Sequence, residues 1–241
     1  MINNKFFILP ELIKYGFEYE YNYIVLNCQK ISLEQLFISH KKSFSIKRAC
    51  EITLNIIECI EVLHNNNIIH RDLKPQVLAN EIKGEKTEII TLLDFGLWKN
   101  YKNKNDHIPF KQYKNMIGNN YIFGSINNLN RMELSRRDDL ESIGYILIYF
   151  INGSVPWENI LIKNKEEKIK KIIDMKKRMI NEMMKEQLPE ELKLFFSYIQ
   201  NLGFEKDPDY YYLKNLLRIV INSEYSDKNF YFKVANKIIK Y

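Results

Sequence analysis

The chain has 241 residues, of which 46% are hydrophobic, so it can bury a sizeable core as one domain or as two lobes that share a cleft. Its net charge of +6 is mild, and the lysines of residues 163–177 interleave with acidic residues, which favours a solvated helix face over a nucleic-acid groove. The longest strongly apolar run, residues 145–151, is far shorter than the ~20 residues that span a bilayer, so no membrane segment is expected.

The cysteines indicate a reducing compartment. Cys28, Cys50 and Cys59 lack CxxC spacing, and we expect reduced, half-buried thiols. Residues 1–9 lack the basic stretch and long apolar stretch of a secretory signal. The expected location is the cytoplasm, the nucleus or both.

The first predicted elements are short strands. Residues 21–26 are rich in aromatic and β-branched side chains, and residues 6–9 with residues 16–18 can supply another short strand. Ser32 and Gln35 have capping-box spacing, which predicts the start of a short helix.

A longer helix is predicted to begin at Ser45. Its apolar residues recur every three or four positions, which predicts a buried stripe formed by Ile52, Ile56, Ile60 and Leu63. The helix is expected to end in the asparagines of residues 65–67, and a loop follows. After a polar turn at residues 83–86, residues 89–93 are predicted to form a strand.

Beyond residue 127 the pattern is helical almost throughout. The predicted helices span residues 138–152, 166–185, 189–201, 210–221 and 227–239. The predicted fold class is therefore α+β, with strands mostly before the helices.

Two motifs carry the chemistry: HRDLKPQV at residues 70–77 and DFG at residues 94–96. Transfer of a phosphoryl group from ATP to a hydroxyl requires a carboxylate base, a nearby cation and ligands for Mg²⁺. The two motifs resemble the protein-kinase pattern HRDLxxxN followed by DFG, and this resemblance implies that Asp72 is the base, Lys74 the cation and Asp94 the metal-binding carboxylate. The kinase pattern places a second metal ligand, asparagine, five residues after the base, where this chain has Val77.

These motifs resemble those of protein kinases, and further segments resemble the casein kinase 1 family of serine/threonine kinases. The similar segments are SLEQLF at 32–37, HIPF at 107–110, SIN at 125–127, SRRDDLES at 135–142, GSVPW at 153–157 and DPDYYYL at 207–213. The resemblance covers roughly residues 21–223. It implies a protein-kinase-like fold, with a remnant of the β-rich N-lobe in residues 1–26, and with the hinge and a mainly helical C-lobe in residues 27–241.

The resemblance also implies the ligands and the roles of several residues. It implies ATP and Mg²⁺ as cofactors and a protein substrate or partner, and it leaves the oligomeric state open. Asp139 is expected to anchor the catalytic loop, Arg71 to pair with the activation segment, and His70 to pack without taking part in the chemistry. The residues implied to contact the nucleotide are Leu26, Asn27, Gln29, Ala79 and Leu93.

Departures from the kinase pattern predict weak or absent catalysis. Val77 removes a metal ligand, and neither Gln76 nor Asn80 is expected to replace it, since each points to the other face. No GxGxxG motif precedes the hinge, and the lysines there, Lys5 and Lys14, do not stand in a VAIK-like strand. After residue 118 the family's threonine and anion-binding arginine are missing.

Three hypotheses follow from the sequence. The residues can be part of a casein kinase 1-like enzyme whose upstream segment is not included here. They can instead form a degenerate pseudokinase that binds protein partners. The third hypothesis, an active kinase with a minimal upper lobe, ranks below the other two.

Overall fold

The computed structural model describes residues 9–27, 30–83, 87–103, 106–183 and 188–223. Several predictions lie wholly or partly outside the described residues: the thiol of Cys28, the nucleotide contact of Gln29, the strand over residues 6–9 except for Leu9, the polar turn at residues 83–86 except for residue 83, the last two residues of the helix over residues 166–185, and the helix over residues 227–239.

Short strands and turns dominate the first half of the described chain, and helices dominate the second. The elements are β1 (Glu11–Glu18), β2 (Tyr21–Asn27), β3 (Ile31–Ser32), α1 (Leu33–Ser39), α2 (Ile46–Asn65), β4 (Ile68–Ile69), a 3-10 turn (Pro75–Val77), β5 (Leu78–Lys83), β6 (Thr87–Leu92), β7 (Lys99–Asn100), β8 (Lys102–Asn103), β9 (Asp106–His107), α3 (Ile126–Leu129), α4 (Arg136–Asn152), α5 (Lys165–Met183), α6 (Glu190–Gln200) and α7 (Tyr210–Asn222). The predicted α+β class is confirmed.

Strands β1 and β2 form an antiparallel hairpin at the start of the described chain. The strand predicted over residues 21–26 is confirmed. Its partner spans Glu11–Glu18, which includes the predicted residues 16–18 but not Leu9, and its register shifts between Leu12 and Lys14. Large apolar side chains of this hairpin are exposed, including Tyr15 at 74%, Phe17 at 68% and Ile24 at 62%. The hairpin therefore presents apolar surface that the described chain does not cover.

Local capping signals set the starts of the first two helices. The backbone N–H of Gln35 donates to Ser32 Oγ at 3.2 Å, and the backbone N–H of Ser32 donates to Gln35 Oε1 at 2.9 Å, which completes the predicted capping box. Ser45 Oγ caps α2 through the N–H of Arg48 at 3.0 Å. The predicted apolar stripe of α2 is buried throughout.

The main core lies between the helices of the second half and α2. Helix α2 packs against α4 and α7, and most residues of α4 are buried. Trp157 is buried, and its indole N–H donates to the carbonyl oxygen of Ile122 at 2.8 Å. Cys50 and Cys59 are buried free thiols, and burial raises the pKa of Cys50 to about 12.

A three-stranded sheet in the order β3, β5, β6 lies beside this core. Its two faces differ. Leu78, Ile90 and Leu92 belong to the main core, and side chains alternate along a strand, so Ala79 and Thr91 point to the opposite face. Within the described part of the chain, no helix combines the length and apolar character needed to cross a bilayer.

Candidate active site

The loop of residues 70–74 follows β4 and is held by a buried carboxylate at the start of α4. Asp139 accepts hydrogen bonds from the backbone N–H groups of His70 at 2.7 Å and Arg71 at 2.8 Å, and it also bonds the ring of His64 at 2.9 Å. Arg71 has a φ of 69°, a left-handed conformation that is uncommon for a residue other than glycine. The predicted anchoring role of Asp139 is confirmed.

The charge states of this anchor follow from burial and hydrogen bonding. Burial alone raises the pKa of Asp139, but the bonds from His64 and from the His70 backbone outweigh it, so the pKa lies below its ordinary value. Burial lowers the pKa of His70, whose ring packs against Trp98 at 5.8 Å between ring centroids. A buried, neutral ring fits the packing role expected for His70.

The candidate base and cation are in direct contact. Lys74 Nζ donates to Asp72 Oδ2 at 2.6 Å, and both side chains are partly buried. The other carboxylate oxygen, Asp72 Oδ1, is buried and has no hydrogen-bond partner among the described residues. A carboxylate oxygen without a partner can accept the proton of an incoming hydroxyl, and the neighbouring ammonium places a positive charge beside it.

The metal side of the site is incomplete. Asp94 is exposed, and its Oδ1 accepts the backbone N–H of Gly96 at 2.9 Å. Val77 ends the 3-10 turn with 6% of its surface exposed. No cluster of three or more His, Cys, Asp or Glu side chains that could hold a metal occurs in the described ranges. Asp94 can give Mg²⁺ one oxygen ligand, since the rest can come from water and phosphate, but position 77 offers no second side-chain oxygen.

The two polar residues closest to Val77 in sequence do not restore that ligand. Gln76 is exposed. Asn80 pairs with Ile90 on the core-facing side of the sheet, opposite to Ala79. The sequence-based rejection of both residues therefore agrees with the register of β5.

The residues implied to contact a nucleotide fall into two groups. Ala79 pairs with Thr91, and the backbone N–H of Leu93 donates to Val77 O at 2.9 Å, so this group forms a continuous floor. Leu26 and Asn27 end β2, where they pair with Leu12 and Glu11 across the hairpin. The two groups therefore belong to different sheets.

A family model described as "Protein kinase domain" matches residues 9–220. The chain belongs to the protein kinase family. Family members act on protein substrates and use ATP with Mg²⁺. In the kinase pattern, residues 70–77 are the catalytic loop and Asp94 opens the activation segment.

The activation segment of this kinase domain is tied to the catalytic loop. Arg71 Nε donates to Leu97 O at 2.5 Å, as predicted for a contact between Arg71 and this segment. Farther along, Asn120 Nδ2 donates to Leu73 O at 2.9 Å, and Asn120 Oδ1 accepts the N–H of Phe123 at 2.9 Å. Asn120 thus braces the segment in the region where the sequence lacks the family's threonine.

Sequence reasoning missed a second anchor of this segment, Glu133. Its buried carboxylate accepts hydrogen bonds from Lys99 Nζ at 2.9 Å and from the Tyr113 hydroxyl at 2.6 Å. Burial raises the pKa of Glu133, but these two bonds outweigh that effect and the pKa lies below its ordinary value. The three residues are 14 to 34 positions apart, so no local pattern links them.

One prediction about charge is wrong. The lysines of residues 163–177 were expected on a solvated face, but Lys176 is fully buried. Its ammonium donates to Gly124 O and lies 4.1 Å from the centroid of the Tyr145 ring. Burial lowers its pKa to about 7, although Glu141 opposes this. The lysine stem points inward because the side of α5 that carries Lys176 packs against the segment that follows Gly124.

Proposed function

We propose that this chain is a casein kinase 1-like kinase domain whose family reaction is ATP-dependent phosphorylation of serine or threonine in proteins, and that its catalysis is weak or absent. The observation that carries the proposal is an intact pair of Asp72 and Lys74 beside Val77, an apolar side chain at the position of the second metal ligand. The residues that act on the substrate hydroxyl are retained, whereas the side-chain metal ligands are reduced to Asp94.

The residues present define what the site can do. Asp72 orients a substrate hydroxyl and accepts its proton through the unpartnered Oδ1, and Lys74 stabilises negative charge beside it. Asp139 holds the loop that carries both groups. ATP with Mg²⁺, when bound, supplies the phosphoryl group and neutralises its charge. The donor set fits one magnesium ion and does not fit two.

The casein kinase 1 assignment is supported by the order of its motifs and by the contacts they make. Ser125 and Asn127, in the segment SIN, both donate to Asp138 Oδ1, at 2.8 and 3.0 Å. Asp138 lies in SRRDDLES, so two family segments bind each other directly. Because the two segments contact each other, a common origin in one family explains both resemblances better than two independent chance matches do.

The size of the catalytic defect follows from the missing group. Removing one preorganised group that stabilises transition-state charge costs ~10² to 10³ in kcat. Normal kinases turn over at ~1 to 100 per second. We therefore expect a turnover at least about 10²-fold below that range.

The direct test is transfer of labelled γ-phosphate from ATP to casein, an acidic protein. Wild type is expected to show slow transfer or none, and Asp72→Asn must abolish whatever transfer occurs. Transfer that survives in Asp72→Asn comes from a contaminating enzyme. Turnover by wild type within the ordinary kinase range, abolished in Asp72→Asn, would overturn the proposed impairment.

A second candidate function, a protein-binding pseudokinase, is favoured by the β1–β2 hairpin. Its exposed Tyr15, Phe17 and Ile24 form apolar surface of a kind that marks interaction sites. An inactive domain can still use such a surface to hold a protein partner or an intact relative.

A further inference from the structure

One lysine outside the catalytic loop reaches the floor formed around Ala79. Lys30 Nζ donates to Thr91 Oγ1 at 3.0 Å. Lys30 stands two residues before Ser32, which pairs with Ala79, and Ala79 in turn pairs with Thr91. Strand β5 therefore lies between the backbone that carries Lys30 and the hydroxyl that it binds.

The route of the Lys30 side chain follows from this register. Neighbouring strands lie ~4.8 Å apart, so the two outer strands of the sheet are separated by ~10 Å. Thr91 points to the same face as Ala79, the face opposite to the core residues Leu78 and Leu92. The methylenes of Lys30 must cross β5 on the Ala79 face to reach Thr91.

The burial of the floor agrees with this route. Ala79 and Thr91 have no exposed surface at all, and Lys30 itself is half-buried. Alanine is the smallest side chain that could stand at position 79 apart from glycine, and its size leaves space above β5 for the lysine stem. The floor is thus already covered by protein.

We infer that Lys30 is a specificity-determining residue that occupies the base end of the cleft and excludes the adenine ring from its floor. The inference rests on the proposed function, since it takes Ala79 and Leu93 as the floor of a nucleotide site. A nucleobase must displace the lysine and break its hydrogen bond before it contacts Ala79. Affinity for ATP then comes from the phosphates, and the base adds little.

Replacement of Lys30 tests this directly. Titration calorimetry of the full chain would compare ATP with inorganic tripolyphosphate, each with Mg²⁺, in wild type and in Lys30→Gly. Wild type is expected to bind both ligands with similar Kd. Lys30→Gly is expected to bind ATP about tenfold more tightly, with its affinity for tripolyphosphate unchanged.

Controls separate this effect from misfolding and from general loss of charge. Lys163→Gly removes an exposed lysine from a bend and must behave as wild type. Circular dichroism checks folding, and Lys30→Ser, which carries the same expectation, replaces Lys30→Gly if glycine destabilises the segment before β3.

The outcomes distinguish this inference from the proposed function. If wild type binds ATP and the Lys30 variants bind it with the same affinity, the inference is overturned and the nucleotide site stands. If neither ATP nor tripolyphosphate binds to any variant, the nucleotide site itself is refuted, and the inference falls with it. A gain for ATP alone in the Lys30 variants supports both.

Discussion

The carbonyl oxygen of Val77 accepts a hydrogen bond from the backbone N–H of Leu93 at 2.9 Å. This bond holds Val77 beside Leu93. Leu93 directly precedes Asp94, the one carboxylate that we assign to metal binding. In the kinase pattern the side chains at positions 77 and 94 hold separate metal ions, so valine at position 77 removes the side-chain ligand of one of the two ions.

Restoring the amide at position 77 should restore metal-dependent binding. We expect Val77→Asn to raise Mg²⁺-dependent affinity for ATP by about tenfold, since it adds one oxygen ligand near Asp94. Comparison of the ATP-induced thermal shift with and without Mg²⁺ measures this. Val77→Ala, which adds no ligand, is the matched control. Equal Mg²⁺ dependence in Val77→Asn and Val77→Ala would count against a ligand-loss explanation.

The Asp139 anchor should be costly to remove. Asp139→Asn keeps the size of the side chain but replaces one accepting oxygen with a donor that faces N–H groups, so the free energy of unfolding should fall by about 3 kcal/mol. Urea denaturation measures the loss. Asp174→Asn, on the exposed face of α5, should change stability by less than about 0.5 kcal/mol.

The same anchor predicts a pH dependence. The folded pKa of Asp139 lies below its ordinary value, so its stabilisation is present above that value and is lost as the pH falls through the folded pKa. The stability of Asp139→Asn should therefore decline less steeply in acid than that of wild type. Parallel acid profiles for the two proteins would contradict this assignment.

Because of Lys176, the free energy of unfolding should increase as the pH rises above 7. The folded pKa is about 7, whereas the unfolded lysine keeps its proton to ~10.4, so between these values the unfolded chain binds more protons. Stability should rise from pH 7 to pH 9, by at most about 1.4 kcal/mol per pH unit. Lys176→Met should lose this rise, and Lys177→Met, at the exposed neighbouring position, should keep it. A rise that persists in Lys176→Met would have another origin.

The hairpin surface should promote association. We expect wild type to form dimers or larger species as its concentration increases, because Tyr15 and Phe17 expose apolar rings. Light scattering after size exclusion should show fewer such species for Tyr15→Ser/Phe17→Ser. Leu161→Ser is the control, since Leu161 is 97% exposed but lies in the loop between α4 and α5. An identical mass distribution for wild type and the hairpin variant would rule out this surface.

Local patterns predicted the parts of the fold that depend on local physics. The Ser32 and Gln35 capping box and the apolar stripe of α2 are encoded within a few residues, and both are present. The hairpin was only partly anticipated because most of its apolar side chains are exposed, so periodicity gave little guidance on its strand ends.

The site was predictable only where a motif fixed it. Asp72, Lys74 and Asp94 were assigned from spacing, and the contact between Asp72 and Lys74 agrees with that assignment. Lys30, Glu133 and Lys176 were missed because each binds a residue tens of positions away in the sequence. A lysine on an amphipathic helix looks solvated until the tertiary packing of that helix is known.

The most direct test of the account is a count of metal ions. Crystals soaked with a non-hydrolysable ATP analogue and Mn²⁺ would reveal each bound ion by its anomalous scattering. We expect at most one ion, bound at Asp94, because Val77 supplies no oxygen. Two fully coordinated ions around an ordered triphosphate would contradict it.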